Sequence, residues 1–325
     1  MLEFQEVTPK VHLVKSDIDT PWKCNGLIVK TEKGRSVLID CNYGDAELDQ
    51  IMDFVGEKPV QYFITHVHID HVTNVHRIES RGIPVYCPEP EDMYIVSGEL
   101  LMEHSGAPRY GLLEGMKSFL FNFAGFKNIQ EMTPFKPSEK FIFDEVEIET
   151  ILLPGHSPGH TGFIVRDLTG TDRPVLFSSD MGLEKIGAWY GFKYCDLEDV
   201  KRSLIKIEEI YEDSDFILTG SHCPVYFEKQ NGIFKDVVGK IEVSKKKLLT
   251  LMGKDQFSPD DFVFKGVYYR TSSIDKMDEV SKKLYFFWEG YTIRNLFGVL
   301  EKDGLIIRSE DEDMWSTNIS FEQTA

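Results

Sequence analysis

Three histidines and an aspartate crowd into six residues, His66-Val67-His68-Ile69-Asp70-His71. Neutral imidazole nitrogens and carboxylate oxygens are ligands for zinc and related divalent ions. The run follows an apolar, β-leaning segment, Val60-Gln61-Tyr62-Phe63-Ile64-Thr65, and precedes a helix start at Val72-Thr73-Asn74-Val75. It therefore sits on a strand-to-helix loop. Alternate side chains of an extended backbone share a direction, so His66 and His68 point together. Asp70 and His71 lie where the chain turns and can face a second ion. The chain holds nine histidines, so three in one window is a concentration.

The pattern recurs at three further strand ends. The apolar run 146–153 ends in Pro154-Gly155-His156-Ser157-Pro158-Gly159-His160-Thr161. Pro174-Val175-Leu176-Phe177-Ser178-Ser179 ends at Asp180, and Phe216-Ile217-Leu218-Thr219 ends at Gly220-Ser221-His222. Ligands at the carboxyl ends of separate strands converge on one crevice of an α/β sheet structure. Asp40 closes another strand, Ser36-Val37-Leu38-Ile39, and is expected to support or cap rather than react. His160 is expected to orient the His156 loop or to pack. His104 reads as a surface residue, His12 and His76 as structural, and Cys223 as a small buried neighbour of the site.

The elements that position these residues are legible in part. Residues 1–65 read as β-rich, with strands at Val11-His12-Leu13-Val14 and Gly26-Leu27-Ile28-Val29 and a turn at Lys33-Gly34. Residues 45–55 form a helix with Leu48, Ile51, Met52 and Val55 on one face. A second helix follows its cap at Asp196, with Leu197, Val200, Leu204, Ile207 and Tyr211 as the apolar stripe. Residues of about 89–140 differ in texture, with Met93, Met102, Met116, Met132, Phe119, Phe121, Phe123 and Phe126. They read as a mostly helical insertion that serves either as an adaptable apolar lid or as a dimer interface or plain packing.

At 325 residues the chain is long for one domain and comfortable for two. Its net charge of -18 repels nucleic acid phosphates and anionic membranes at long range. The five cysteines are scattered, without a CxxC pair or a disulfide framework. No basic segment followed by an apolar run opens the chain, and no stretch is apolar enough to span a bilayer. A cytoplasmic enzyme without a membrane partner is the expectation.

Taken in order, His66-x-His68-x-Asp70-His71, the Pro154–Thr161 motif, Ser179-Asp180 and Gly220-Ser221-His222 resemble the metallo-β-lactamase superfamily of αββα hydrolases. The likeness spans about residues 10–230. It implies an α/β (α+β) fold, an αββα sandwich over 1–235. It implies His66, His68 and His156 as ligands of one metal, Asp70, His71 and His222 as ligands of the other, and Asp180 as the bridging carboxylate. The expected cofactors are two divalent ions, zinc first, with iron or manganese suiting the same donors. Asp70 would be the catalytic residue, orienting a metal-bridging hydroxide in a dinuclear hydrolase. Aspartate at 180, where the best-known zinc β-lactamases have cysteine, argues against that activity. His68, where oxygen-reducing diiron members have glutamate, argues against that redox role. Thr73 stands where a glycine is common, and Met181-Gly182 where bulkier residues are usual. No general acid stands out, and thiolates and carboxylates leave without one. The expected substrate is a small-molecule thioester or lactone. The alternatives are a phosphodiesterase or endoribonuclease of the same superfamily and a mononuclear iron oxygenase.

Residues 236–325 read as a separate unit. Ile241, Leu248 and Leu249 belong to a long helix, 259–287 suggest two short helices, and 292–304 a helix capped at Thr292 and stopped by Gly304. Leu305-Ile306-Ile307-Arg308 and Met314-Trp315-Ser316 flank the acidic turn Glu310-Asp311-Glu312-Asp313. Helices followed by a hairpin resemble a winged helix, which some superfamily members, including certain endoribonucleases, carry here. From Asp236 onward, 13 Lys and Arg stand against 16 Asp and Glu. Phosphate contact needs cations on the groove face. Packing, homodimerisation or shaping of the substrate mouth is expected instead of specific DNA binding, with RNA left open.

Overall fold

The computed structural model describes residues 1–16, 23–253, 256–310 and 313–318. Two sheets lie face to face. The first holds β1 (Leu2–Thr8), β2 (Val11–Ser16), β3 (Gly26–Lys30), β4 (Ser36–Ile39), β5 (Gln61–Phe63), β6 (Val85–Pro88) and β7 (Thr133–Phe135) in that spatial order. Pairing is antiparallel from β1 to β4 and parallel from β4 to β7. The second holds β8 (Lys140–Phe143), β9 (Val146–Leu152), β10 (Thr161–Asp167), β11 (Val175–Phe177), β12 (Ile217–Gly220) and β13 (Cys223–Tyr226) in the order β13-β12-β11-β10-β9-β8. Among the described residues, β11 and β12 are its one parallel pair.

Alternation sorts the core into layers. Leu13, Leu27, Ile39 and Phe63 pair in register across the first sheet and face the second. There they meet Val146, Ile148, Phe163, Val165 and Phe177. Ile28, Leu38 and Tyr62 point the other way and join a second apolar cluster beneath the helices. α1 (Asp45–Val55) buries Leu48, Ile51 and Val55 there. The loop after β5 carries α2 (Ile69–Val72) and then α3 (Val75–Ser80). On the outer face of the second sheet, α7 (Leu197–Asp213) buries Leu197, Val200, Leu204, Ile207 and Tyr211, with the Asp196 carboxylate accepting from the Asp199 N–H.

The insertion is helical only in its first part. α4 (Asp92–Val96), α5 (Gly98–His104) and α6 (Leu113–Ser118) are followed by a wide helical turn, Phe119–Phe123. Residues 133–135 then return to the first sheet as β7, against the expectation of a helical segment to residue 140. A three-residue strand containing proline shows no alternation, and an edge position tolerates the missing N–H. What holds it is Phe135, buried against Phe63 at 5.8 Å. Met102, Met116, Leu120 and Phe126 are buried packing residues, while Phe123 is 74% exposed.

The C-terminal region is α8 (Ile233–Leu251), a short turn Pro259–Phe262, α9 (Thr271–Ile274), α10 (Glu279–Lys302) and a hairpin of β14 (Ile306–Arg308) and β15 (Trp315–Thr317). The expected helix start at Thr292 is corrected. α10 begins at its Asp278 cap, and the Thr292 hydroxyl donates to the Trp288 carbonyl in mid-helix. The aromatic run around residues 285–288 hides the helical period because α10 buries Phe287, Tyr291, Ile293, Leu296, Phe297 and Leu300 on more than one face. The glycine stop is present, with Gly304 at φ +70°. The division at residue 235 falls in the first turn of α8, and Phe234, Ile241 and Leu248 share one apolar cluster with Tyr211 and Leu300. Asp311 and Glu312 of the acidic turn lie outside the described residues.

Candidate metal centre

Six strand ends meet on one side of the sandwich. β4 delivers Asp40, β5 the His66 to His71 run, β6 Glu91, β9 His156, β11 Asp180 and β12 His222. All seven residues singled out as ligands come together there. One atom each from His66, His68 and His156 fall within 4.8 Å of one another, and so do one each from Asp70, His71, Asp180 and His222. Asp180 touches both groups. Its Oδ2 lies 3.6 Å from His156 Nε2 and 3.4 Å from His222 Nε2, and its Oδ1 lies 3.4 Å from His71 Nε2. Asp70 Oδ2 lies 3.1 Å from His222 Nε2.

The hydrogen-bond network assigns the tautomers. Asp40, held at φ +49°, accepts from the Thr65 N–H at 2.9 Å, the Thr65 hydroxyl at 2.6 Å and His71 Nδ1 at 2.8 Å. With its proton given to Asp40, the Thr65 oxygen accepts from His66 Nδ1 at 3.0 Å and from the Ser179 hydroxyl at 2.9 Å. His156 Nδ1 donates to the Trp189 carbonyl at 2.8 Å. In each ring Nε2 is therefore the nitrogen left facing the crevice, the position a metal ligand requires. Among the described residues, His68 Nε2, His71 Nε2 and Asp180 Oδ1 are buried without a hydrogen-bond partner. Such orphans are costly in an apolar interior and common where an ion completes them.

Charge follows the same logic. Burial holds the His66, His68 and His156 imidazoles below their ordinary range, which keeps them neutral. His222 differs. Burial opposes its charge, yet Asp180 and Asp70 push it up to about 12. Two carboxylates thus hold a proton in the place where a divalent cation would supply the positive charge. The donor set fits one or more divalent ions.

His160 is not free to join this set. Its Nδ1 donates to the Leu153 carbonyl at 3.0 Å and its Nε2 accepts from the Asp180 N–H at 3.0 Å. Cys223 is buried in β13 beside the site, and His104 is exposed, bonded to the Tyr94 hydroxyl at 3.0 Å. Two glycines let the His156 loop fit. A Cβ on Gly155, at φ +121°, would stand 2.2 Å from the Val200 nitrogen at the start of α7. One on Gly159 would meet Glu91 Cγ at 2.9 Å.

Glu91 escaped the sequence reading. Its buried carboxylate accepts from the Val67 N–H at 2.5 Å, the Gly159 N–H at 2.7 Å and the Ser157 hydroxyl. It joins the loop between His66 and His68 to the loop that carries His156. Its position just beyond a parallel strand end, in Cys87-Pro88-Glu89-Pro90-Glu91, is the signal that could have found it.

A cleft of about 490 Å³ opens over the two groups. Its floor includes His68, Asp70, His156, Asp180 and His222, and its walls include Trp189, Phe192, Tyr269, Leu284, Tyr285 and Trp288. None of its lining comes from residues 89–140. The cleft is walled instead by the 184–192 loop and α10.

The sequence profile of the metallo-beta-lactamase superfamily matches residues 19–213. The chain belongs to that superfamily. It is 23% identical over 202 residues to the protein Rv2581c of Mycobacterium tuberculosis H37Rv, across 61% of this chain and 85% of that one. It is 26% identical over 148 residues to the probable metallo-hydrolase YqgX of Bacillus subtilis 168, across 42% of this chain and 58% of that one. Among solved structures, the metallo-beta-lactamase family protein TTHA1429 of Thermus thermophilus superposes with a TM-score of 0.75 at 18% identity. That match covers 96% of this chain and 100% of the other, so the shared fold includes the C-terminal region. Superfamily members are metal-dependent hydrolases as a rule, and the His/Asp clusters suit divalent ions. Among the described residues, no helix is long and apolar enough to cross a membrane.

Proposed function

We propose that this protein is a dinuclear metal-dependent hydrolase of a small thioester or lactone. His66, His68 and His156 would hold one ion, Asp70, His71 and His222 the other, and Asp180 would serve both. Zinc fits the imidazole-rich set first, with iron and manganese as alternatives. When bound, a pair of such ions lowers the pKa of water and stabilises charge developing on the attacked oxygen. The chain's own residues do the rest. Asp40, Thr65 and the Trp189 carbonyl fix the imidazole tautomers. Asp70, beside His222 on the cleft floor, orients the attacking water and receives its proton. The aromatic walls exclude bulk water, which strengthens the electrostatics inside.

The observation that carries this reading is the pair of donor clusters with unpartnered lone pairs at the floor of an apolar cleft. The test is metal analysis of protein prepared without chelator, before and after metal is added back, followed by assay on thioesters, lactones and phosphodiesters. Two ions per chain with turnover of thioesters or lactones is the expected result. A single iron per chain with oxygen consumption, or turnover of phosphodiesters alone, would overturn it.

A further inference from the structure

The cleft wall is a continuous aromatic surface that begins at the candidate ligands. The Trp189 ring lies 5.4 Å from His68 and 5.7 Å from His156, and Phe192 lies 5.3 Å from His68. Trp288 stands 6.1 Å from Trp189, and Tyr285 stands 5.2 Å from Trp288. Leu284, Tyr285 and Trp288 share one face of α10, since residues three and four apart lie side by side on a helix. They are only partly buried, so this face is open to the cleft. Trp189 is fixed by its Nε1–H, which donates to the Tyr269 hydroxyl at 3.1 Å.

The charged lining has one sign apart from histidine. Asp70, Asp180 and Glu184 line the cleft, and among the described residues no lysine or arginine does. Bound divalent ions would offset the first two carboxylates and leave Glu184. A polyanionic chain such as RNA needs cations flanking the reacting phosphate along its path. An uncharged apolar group needs what is here: rigid aromatic area with few polar atoms.

We propose that Trp189, Phe192 and the Leu284–Tyr285–Trp288 face of α10 form a binding subsite for an uncharged acyl chain. This rests on the hydrolase reading above and adds what the substrate carries beyond its reacting carbonyl. The C-terminal region is then the specificity element, because α10 closes a mouth that the sandwich alone leaves open. Chain length is read by burial of methylenes against Leu284 and Trp288.

The probes are straight-chain carboxylates from butanoate to octanoate, the acid products of either substrate class. Their binding to metal-replete protein is measured by calorimetry, so no turnover is needed. Each added methylene should tighten binding about fourfold while it enters apolar surface. Leu284→Asp and Trp288→Ala should flatten that dependence without changing metal content, and melting curves identify any variant that has lost its fold. Binding that ignores chain length, or equal slopes in folded variants, overturns the subsite. Tighter binding of bis(4-nitrophenyl) phosphate than of octanoate overturns it as well. Chain-length dependence without turnover of any thioester or lactone would instead overturn the hydrolase reading and support the subsite.

Discussion

Asp70 and Asp180 both reach His222, but their surroundings differ. The Asp180 side chain is 9% exposed and touches both histidine groups, while Asp70 is 18% exposed and faces the cleft. Asp70→Ala is therefore expected to spare the fold and damage the chemistry. Loss of one positioned electrostatic group costs roughly a hundred- to a thousand-fold in rate. The readout is kcat/KM on the best substrate, with melting temperature and metal content recorded. Near-normal turnover in fully metallated protein would refute the role given to Asp70. His160→Ala should show the opposite balance. It strands the Asp180 N–H and the Leu153 carbonyl in a buried site, at about 1–3 kcal/mol each, so its melting temperature should fall. Glu91→Gln separates a third role. Glutamine keeps the size but gives one acceptor oxygen where three donors now converge. Supporting groups around metal ligands typically contribute ten- to a hundred-fold in affinity. Titration with zinc against a competing chelator should show a loss of that order, and an unchanged affinity would mean that Glu91 only packs.

The elements at the edge opposite the site are tied by ion pairs. Asp144, in the β8–β9 turn, accepts from Arg35 Nε at 2.8 Å and lies 3.1 Å from Lys33 Nζ, both in the β3–β4 connection. The pair bridges the two sheets. The Arg35 hydrogen bonds hold the Asp144 carboxyl well below the ordinary carboxylate range. Because the folded value is depressed, the contribution to stability is present above the unfolded pKa of about 3.9 and fades as pH falls below it. Thermal melts of chelated protein from about pH 5 to 2 should show this loss, and Asp144→Asn should reduce it. Equal acid sensitivity in the two proteins would assign the loss to other groups. α1 and α7 carry clean apolar stripes; α1 spans the expected residues 45–55 and α7 starts at its expected Asp196 cap. β7 and the first half of α10 carry no such signal, since a three-residue edge strand and a helix buried on several faces lack a readable period.

For the molecule as a whole, the acidic balance is reinforced by what its cations do. Arg294, one of four cations on α10, is bonded to Asp313, Asp260 and the Tyr110 hydroxyl and is only 13% exposed. Lys302 lies 3.6 Å from Glu198 on α7. Cations committed to internal partners are not available to phosphates. The protein should therefore show no sequence-dependent affinity for duplex DNA in a low-salt titration. Tight, sequence-dependent binding that weakens with salt would contradict this.

The sequence by itself determined the family and the residues that end the site-bearing strands. Ligand type and spacing within a short loop are local chemical facts, and a strand of alternating apolar residues announces where it stops. Asp40 was legible as a support for the same reason. Only the tertiary structure decided which groups share a partner. Glu91 acts on loops about 24 and 68 residues away, and no local pattern encodes a hydrogen bond over that separation. It also decided that the wall of the cleft belongs to α10 rather than to the methionine-rich insertion. Both segments are apolar, and which apolar surface is covered and which is left open depends on how distant elements pack.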